Sequence, residues 1–453
     1  MQLLLLVPFL ISLYYIWRGS ARSAFLNVFL PVLLLIPGSY VWRIPHLPPV
    51  NYMVMTLLPI AAALPFYLRW WQPRRIDLWI ALFAVCFGIS ESRNTNVATG
   101  SIIFFDSCVS VIIPYLCGRL LIEQWMMRTA VLKRIVILIS IAGVIGLSEF
   151  PLKINIFRMI TQRLFHGTRE VVGWTTQERW GFGRVSGPYG HAILAGVVFG
   201  MALVILVYLR RTEPWWQRRM IANFLPVRMR NVLMVALAVA LFCTISRGPW
   251  IGAIVSLVIA LLGTRKYLDK RSVWVLILLV VAGYALKTYI AYASSGQYDL
   301  TQDNPNQTAQ YRAQLWTVYG PIVRAGGLWG FGVTAFPRVG GFDSIDNEYL
   351  SILVTQGYIG LTLFVLMLLE SLLTLYKSLS TMTTYEDRFF TFTLGGILLG
   401  LMLTMATVFI DEQPKPLLFI LFGWIQALRP ARVPSPAMIQ AAQPRFGFRR
   451  VWT

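Results

Sequence analysis

Three arginines stand where a guanidinium is costly to place and useful once placed. Arg184 lies in GRVSGPYGHAILAG, ahead of a Ser-Gly-Pro-Tyr-Gly turn and of His191, where a long apolar run begins. Arg247 lies in SRGPWIGAIVSLVIAL, squeezed between two apolar runs, and Arg312 lies in YRAQLW. Charge at bilayer depth is expensive, so such residues either reach out to lipid phosphates or serve a site. A guanidinium presents a planar fork of donors that matches phosphate oxygens two at a time, and its charge does not titrate away. Helix N-termini expected near 191 and 249, with Pro249 at a first helical position, add positive dipole ends to the same region. Further along, GFDSIDNEYL supplies Asp343, Asp346 and Glu348 just before another apolar run. A carboxylate there can take the proton of an attacking hydroxyl. The plain alternatives are that Asp346 and Asn347 cap the helix and that Glu348 pairs with an arginine. His191 is a second candidate base or a hydrogen-bonded residue at a helix start, and Arg338 is a further cation for binding substrate.

Such a group suits a lipid-borne diphosphate, whose head reaches the mouth of the bundle while its tail stays in the bilayer. Arginines would compensate the charge that develops on a leaving diphosphate, and the carboxylate would activate a sugar hydroxyl. Metal chemistry is not expected. The three histidines, His46, His166 and His191, form no His-x-x-His pair, and Cys86, Cys108, Cys117 and Cys243 lie inside apolar segments with no CxxC spacing. No cofactor is implied.

The elements that must position these residues follow from composition. The chain has 453 residues, of which 57% are hydrophobic and 13% charged, far from the roughly 25% charged of a soluble domain. It reads as an all-α, polytopic transmembrane bundle. Apolar runs long enough to span, or nearly so, fall at 1–17, 24–42, 50–68, 76–90, 100–122, 135–150, 191–209, 231–246, 249–263, 273–291, 349–376, 389–410 and 416–428, which makes 12 or 13 spans. The first run lacks a basic flank and a cleavage site, so it is expected to stay as a helix. The formal charge of +21 raises the possibility of nucleic acid. Most of the basic residues instead fall in alternate connections between apolar runs, as short cytoplasmic loops require, and no nucleic acid partner is needed.

The organisation is then N-terminal spans over 1–150, an outer loop over 151–190, central spans over 191–291, a large outer loop with a helix over 292–348, C-terminal spans over 349–429 and a cytoplasmic tail over 430–453. The first outer loop carries six basic residues against the positive-inside trend, which calls for an anionic ligand. Gly196 with Gly200, and Gly396 with Gly400, read as helix-packing GxxxG pairs. Asp106, in the middle of IIFFDSCVSVIIP, must face protein or water, and Asp411 and Glu412 are expected to be solvated acids in an outer turn.

The pieces GRVSGPYGHAILAG, SRGPWIGAIVSLVIAL, YRAQLWTVYGPIVRAGGLWGFGVTAF and DNEYLSILVTQGYIGL resemble, in order and spacing across about residues 180 to 375, the O-antigen ligase and polymerase family of polytopic bacterial membrane proteins. The resemblance implies a GT-C-like bundle in the inner membrane. It implies metal-independent, inverting transfer of a glycan from undecaprenyl diphosphate at the periplasmic face, with diphosphate contacts from Arg184 and Arg247. Membrane lipid and other polysaccharide assembly or export proteins are the further partners expected. One position departs from the pattern: ligases carry a His-Asn pair where this chain has Asp346-Asn347. An aspartate base favours an O-unit or exopolysaccharide polymerase, with a lipid A-core ligase as the alternative. A lipid-linked glycan flippase or exporter is the reading from another class; it too would need a cationic cavity, but no inverted repeat supports it.

Overall fold

A backbone inside hydrocarbon must satisfy its own polar groups, and the apolar runs of this chain do so as helices. The computed structural model describes residues 2–38, 41–42, 48–164, 176–213, 219–221, 225–264, 307–342, 344–382 and 384–428. The helices are α1 (Leu6–Arg18), α2 (Ala21–Leu35), α3 (Tyr52–Trp70), α4 (Arg75–Asn94), α5 (Val97–Trp125), α6 (Arg128–Leu152) and α7 (Ile156–Leu164). They continue as α8 (Ala192–Thr212), α9 (Met229–Cys243), α10 (Arg247–Leu262), α11 (Gln307–Gly326), α12 (Glu348–Thr381), α13 (Tyr385–Met405) and α14 (Pro414–Ala427). Three short antiparallel hairpins complete the described fold: β1 (Val41–Trp42) with β2 (Val50–Asn51), β3 (Glu178–Arg179) with β4 (Phe182–Gly183), and β5 (Arg219–Ile221) with β6 (Leu225–Arg228).

Among the described residues six helices, α3, α5, α6, α8, α12 and α13, are long and apolar enough to cross a membrane, and α1, α2, α9 and α10 are shorter apolar helices. The polytopic helical bundle is therefore as expected, while several boundaries differ. The run expected at 24–42 stops at Leu35, where Ile36 turns extended. The run expected at 76–90 is α4, which continues to Asn94 and so brings Glu91 inside the bundle, fully buried. The run at 273–291, the start of the second outer loop, His46, His166, Asp343 and the tail from 429 lie outside the described residues. The helix read from TAQYRAQLWTVYGPIVRA is α11.

Both GxxxG pairs pack helices, and both pack the same one. A Cβ added at Gly196 would meet Pro249 at 2.9 Å, and one at Gly200 would meet Ala253 at 3.0 Å. Next to them on the same face of that helix, Gly396 and Gly400 lie against the backbone of Ser256 and Gly252. Small residues let backbones approach this closely. Helix α10 is thereby seated against both α8 and α13, and Arg247, its first residue, is set by that packing.

The span expected as continuous over 349–376 is broken. Gly357 takes φ 66°, ψ −163° inside α12, a conformation open to glycine and costly for other residues.

Candidate active site

The hairpin β3–β4 turns through Trp180 and Gly181, both at positive φ, and hands the chain to Arg184. The guanidinium donates from Nε to Thr244 O at 2.9 Å, from one terminal nitrogen to Gln177 Oε1 at 3.1 Å and from the other to Ser246 Oγ at 2.7 Å. Of its five N–H donors, three are spent in fixing it, and two remain for a ligand. Arg179, from the same hairpin, donates to Ile245 O at 3.1 Å. The acceptors belong to the reversal between α9 and α10, where Ile245 sits at φ 47°. A β-branched residue in that region persists only when its surroundings hold it, and the two arginines do so while the reversal aims its carbonyls at them.

Ser246 precedes α10 and Arg247 opens it with an exposed side chain. Pro249 is thus the third helical residue rather than the first. Its missing N–H still costs nothing, since the N–H groups of the first turn have no partner within the helix.

Arg312 enters from α11, where Leu315, Tyr319 and Val323 pack against Leu350, Leu353 and Val354 of α12. Its Nε is buried and has no hydrogen-bond partner among the described residues. Asp346 sits half-buried in the link before α12, its carboxylate accepting from Ser344 Oγ at 2.6 Å. That link is held by Tyr311, whose hydroxyl donates to Ser344 O and whose ring stacks on Phe342 at 5.1 Å between centroids.

These side chains form one electrostatic group. Burial, then Arg179 and Arg312, lower Arg184 to about 10, against the pull of Asp346. Burial lowers Arg312 as well, with Asp346 opposing and Arg179 and Arg247 adding to it. Burial followed by Arg247 lowers Arg179. An arginine side chain keeps its charge in proteins, so four guanidiniums here face the single carboxylate that acts on them.

Other sequence candidates land differently. Asn347, not Asp346, caps α12: its Oδ1 accepts from Leu350 N–H at 3.0 Å and its amide donates to Ala406 O at 2.9 Å. Asp346 is therefore free of the capping role weighed for it. His191 caps α8, its Nδ1 accepting from Ile193 N–H at 3.1 Å; burial and then Arg184 lower it to about 4, with Asp346 opposing. It is neutral, in contact with Gln177, and positions the loop that carries Arg184. Glu348 does not pair with an arginine. Its carboxylate accepts from Ile410 N–H at 2.7 Å, and the charges acting on it are Lys415 and Asp411. Arg338 is exposed with its guanidinium 5.8 Å from the Phe336 ring centroid, and it does not act on the group. Glu412 is not a solvated acid: it accepts from Gly190 N–H at 2.8 Å, while burial and Asp411 raise it to about 7.

Two residues that build the site escaped the sequence reading. Arg179 was only one basic residue of six in its loop, and the hairpin that aims it has no strong sequence signal. Glu149 holds the turn after Arg184, accepting from Ser186 N–H at 3.0 Å, Ser186 Oγ at 2.7 Å and Gly187 N–H at 2.7 Å.

Fold and site together define a polytopic helical membrane protein with arginines gathered at one end. Residues 232–365 match the family model described as O-antigen ligase, so that stretch is similar to the O-antigen ligase family. The matched stretch contains Arg247, Arg312 and Asp346; Arg184 and His191 precede it. No curated protein matches the chain.

Proposed function

We propose that the chain is a polysaccharide polymerase that transfers an undecaprenyl-diphosphate-linked glycan onto an acceptor sugar hydroxyl at the periplasmic face. The coarse activity, glycan transfer of the ligase or polymerase type, is supported by the match of residues 232–365 to the family model described as O-antigen ligase. The finer reading is carried by one observation: Arg179, Arg184, Arg247 and Arg312 act on one another, and Asp346 acts on two of them.

In this reading Asp346 takes the proton from the acceptor hydroxyl as its oxygen attacks the anomeric carbon. The bond from that carbon to the diphosphate oxygen breaks, its electron pair leaves with the diphosphate, and attack from the opposite face inverts the centre. The guanidiniums of Arg184 and Arg179 are already held by hydrogen bonds to the α9–α10 reversal, so they meet the growing charge without reorganising. The aspartate in place of a histidine supports polymerase. The match to a model described as O-antigen ligase supports the ligase alternative, in which the same machinery serves an acceptor such as lipid A-core.

Fluorescent lipid-linked oligosaccharide in proteoliposomes separates the readings. Chain growth on the donor lipid is the expected result. Transfer to an added, different acceptor would make it a ligase, and movement across the bilayer with no covalent change would make it an exporter.

A further inference from the structure

The link between α11 and Asp346 is docked into the bundle at its start. Leaving α11 at Gly326, residues Gly327–Thr334 enter the break in α12: Phe331 N–H donates to Val354 O at 2.9 Å and Gly332 N–H to Thr355 O at 2.8 Å. In return Tyr358 and Ile359 N–H donate to the carbonyls of Gly327 and Leu328 at 3.3 and 3.1 Å. The fit needs glycine on both sides, because Gly330 and Gly357 both have positive φ and a Cβ on either would strike the other's backbone. Helix α4 closes the joint. Ser90 Oγ donates to Trp329 O and Thr355 O, and Asn94 Nδ2 donates to Gly330 O at 3.0 Å. Glu91, with no exposed surface, accepts from Val333 N–H at 2.6 Å, Thr334 N–H at 3.2 Å and the Thr334 hydroxyl.

We propose that Glu91 is a positioning residue for glycan transfer: its carboxylate locks the Gly327–Thr334 loop into the broken α12 and so fixes α11, which carries Arg312, and the link that ends at Asp346 against the hairpin that carries Arg184. The proposal rests on the functional reading above. Its physical basis is that α11 packs chiefly on α12, and the joint adds hydrogen bonds that tie the C-terminal end of α11 to α4 as well. A carboxylate can accept from every donor the loop presents; a carboxamide keeps one acceptor oxygen and turns an NH2 group on N–H groups that have no other partner.

The test uses spin labels on cysteines placed at Ala313 of α11 and Trp180 of the hairpin tip, both exposed, in the full chain with Cys86, Cys108, Cys117 and Cys243 replaced. Distances are read by pulsed electron resonance in lipid nanodiscs. One narrow distance is expected with Glu91 present, and a broadened or shifted distribution in Glu91→Gln. Transfer should fall at least tenfold in kcat, with the donor KM changing less than threefold because Arg184 and Arg247 stay in place. Thr334→Val removes one donor from the exposed side and should broaden the distance more weakly, which keeps the test open if Glu91→Gln does not fold. Unchanged distances in both variants would overturn the lock, and broadened distances with unchanged transfer would overturn the positioning role. The distance needs no substrate, so a wild-type protein inert in transfer would sink the functional reading while leaving the lock to its own measurement.

Discussion

At the scale of single residues, Asp346 and Arg247 carry the sharpest expectations. Asp346→Asn leaves the Asn347 cap untouched and removes the base, so transfer should drop by about 10² to 10⁴ with no change in thermal midpoint. Unaltered turnover would remove Asp346 from the chemistry. Arg247→Ala takes away an exposed guanidinium that fixes nothing among the described residues. A charged hydrogen bond is worth about 1.5 to 3 kcal/mol, so transfer should fall about ten- to a hundredfold while the protein still purifies as a folded monodisperse species. His191 gives a pH prediction with a definite sign. Its folded pKa, near 4 because of burial and Arg184, lies below its ordinary 6.5, so the stability it contributes is complete above about pH 6.5 and is lost as pH falls toward 4. Glu412, raised to about 7, has the opposite sign: the stability tied to its protonated form is present below about pH 4.5 and is lost as pH rises through 7. The two overlap, so the measurement is a difference between chains. His191→Asn retains a good helix cap and should unfold with a shallower acid-side loss than wild type between pH 6.5 and 4; identical slopes would mean that His191 is not held neutral by the fold.

At the scale of elements, the site is built from ends and breaks rather than from helix faces. Arg247 begins α10, His191 caps α8, Asp346 precedes α12, and Arg184 is tied to the α9–α10 reversal. Each is therefore placed by whatever sets the axial position of a helix. For α10 that is the pair of glycine stripes on α8 and α13. Gly400→Val would drive a branched side chain into Gly252 and Ser256, and overpacking of this kind costs about 1 to 3 kcal/mol. A Cβ added at Gly395, next to Gly396, would meet Leu375 Cδ1 at 3.7 Å, so Gly395→Ala should be tolerated. A lowered thermal midpoint in detergent for Gly400→Val beside an unchanged one for Gly395→Ala is expected; equal effects would show that the stripe does not set the packing.

At the scale of the whole molecule, the two ends of the bundle differ. One end gathers the arginine group. The other closes with ion pairs, in which Arg128 donates to Glu123 and to Asp387 at 2.7 Å each while Trp424 Nε1 donates to Glu123. Single cysteines in a cysteine-free chain test the orientation: Trp180→Cys, 66% exposed, should react in intact cells with a membrane-impermeant maleimide, and Met126→Cys, 74% exposed, should react only after permeabilisation. The reverse pattern would invert the orientation and remove the periplasmic reaction.

Hydropathy alone determined that this chain is a helical membrane protein, because burial of apolar runs in lipid depends on composition within each run and on nothing distant. It also marked Arg184, Arg247, Arg312 and Asp346, since charged residues flanking such runs are conspicuous where charge is expensive. Tertiary structure decided which of them meet. Glu348 and Asp346 are two residues apart, yet one faces the α13–α14 turn and the other the arginines, because helix capping by Asn347 between them splits their directions. Arg179, Glu149 and Glu91 were invisible for the same reason. Their partners lie far along the chain, and a hydrogen bond to a distant backbone leaves no local periodicity or spacing by which it can be read.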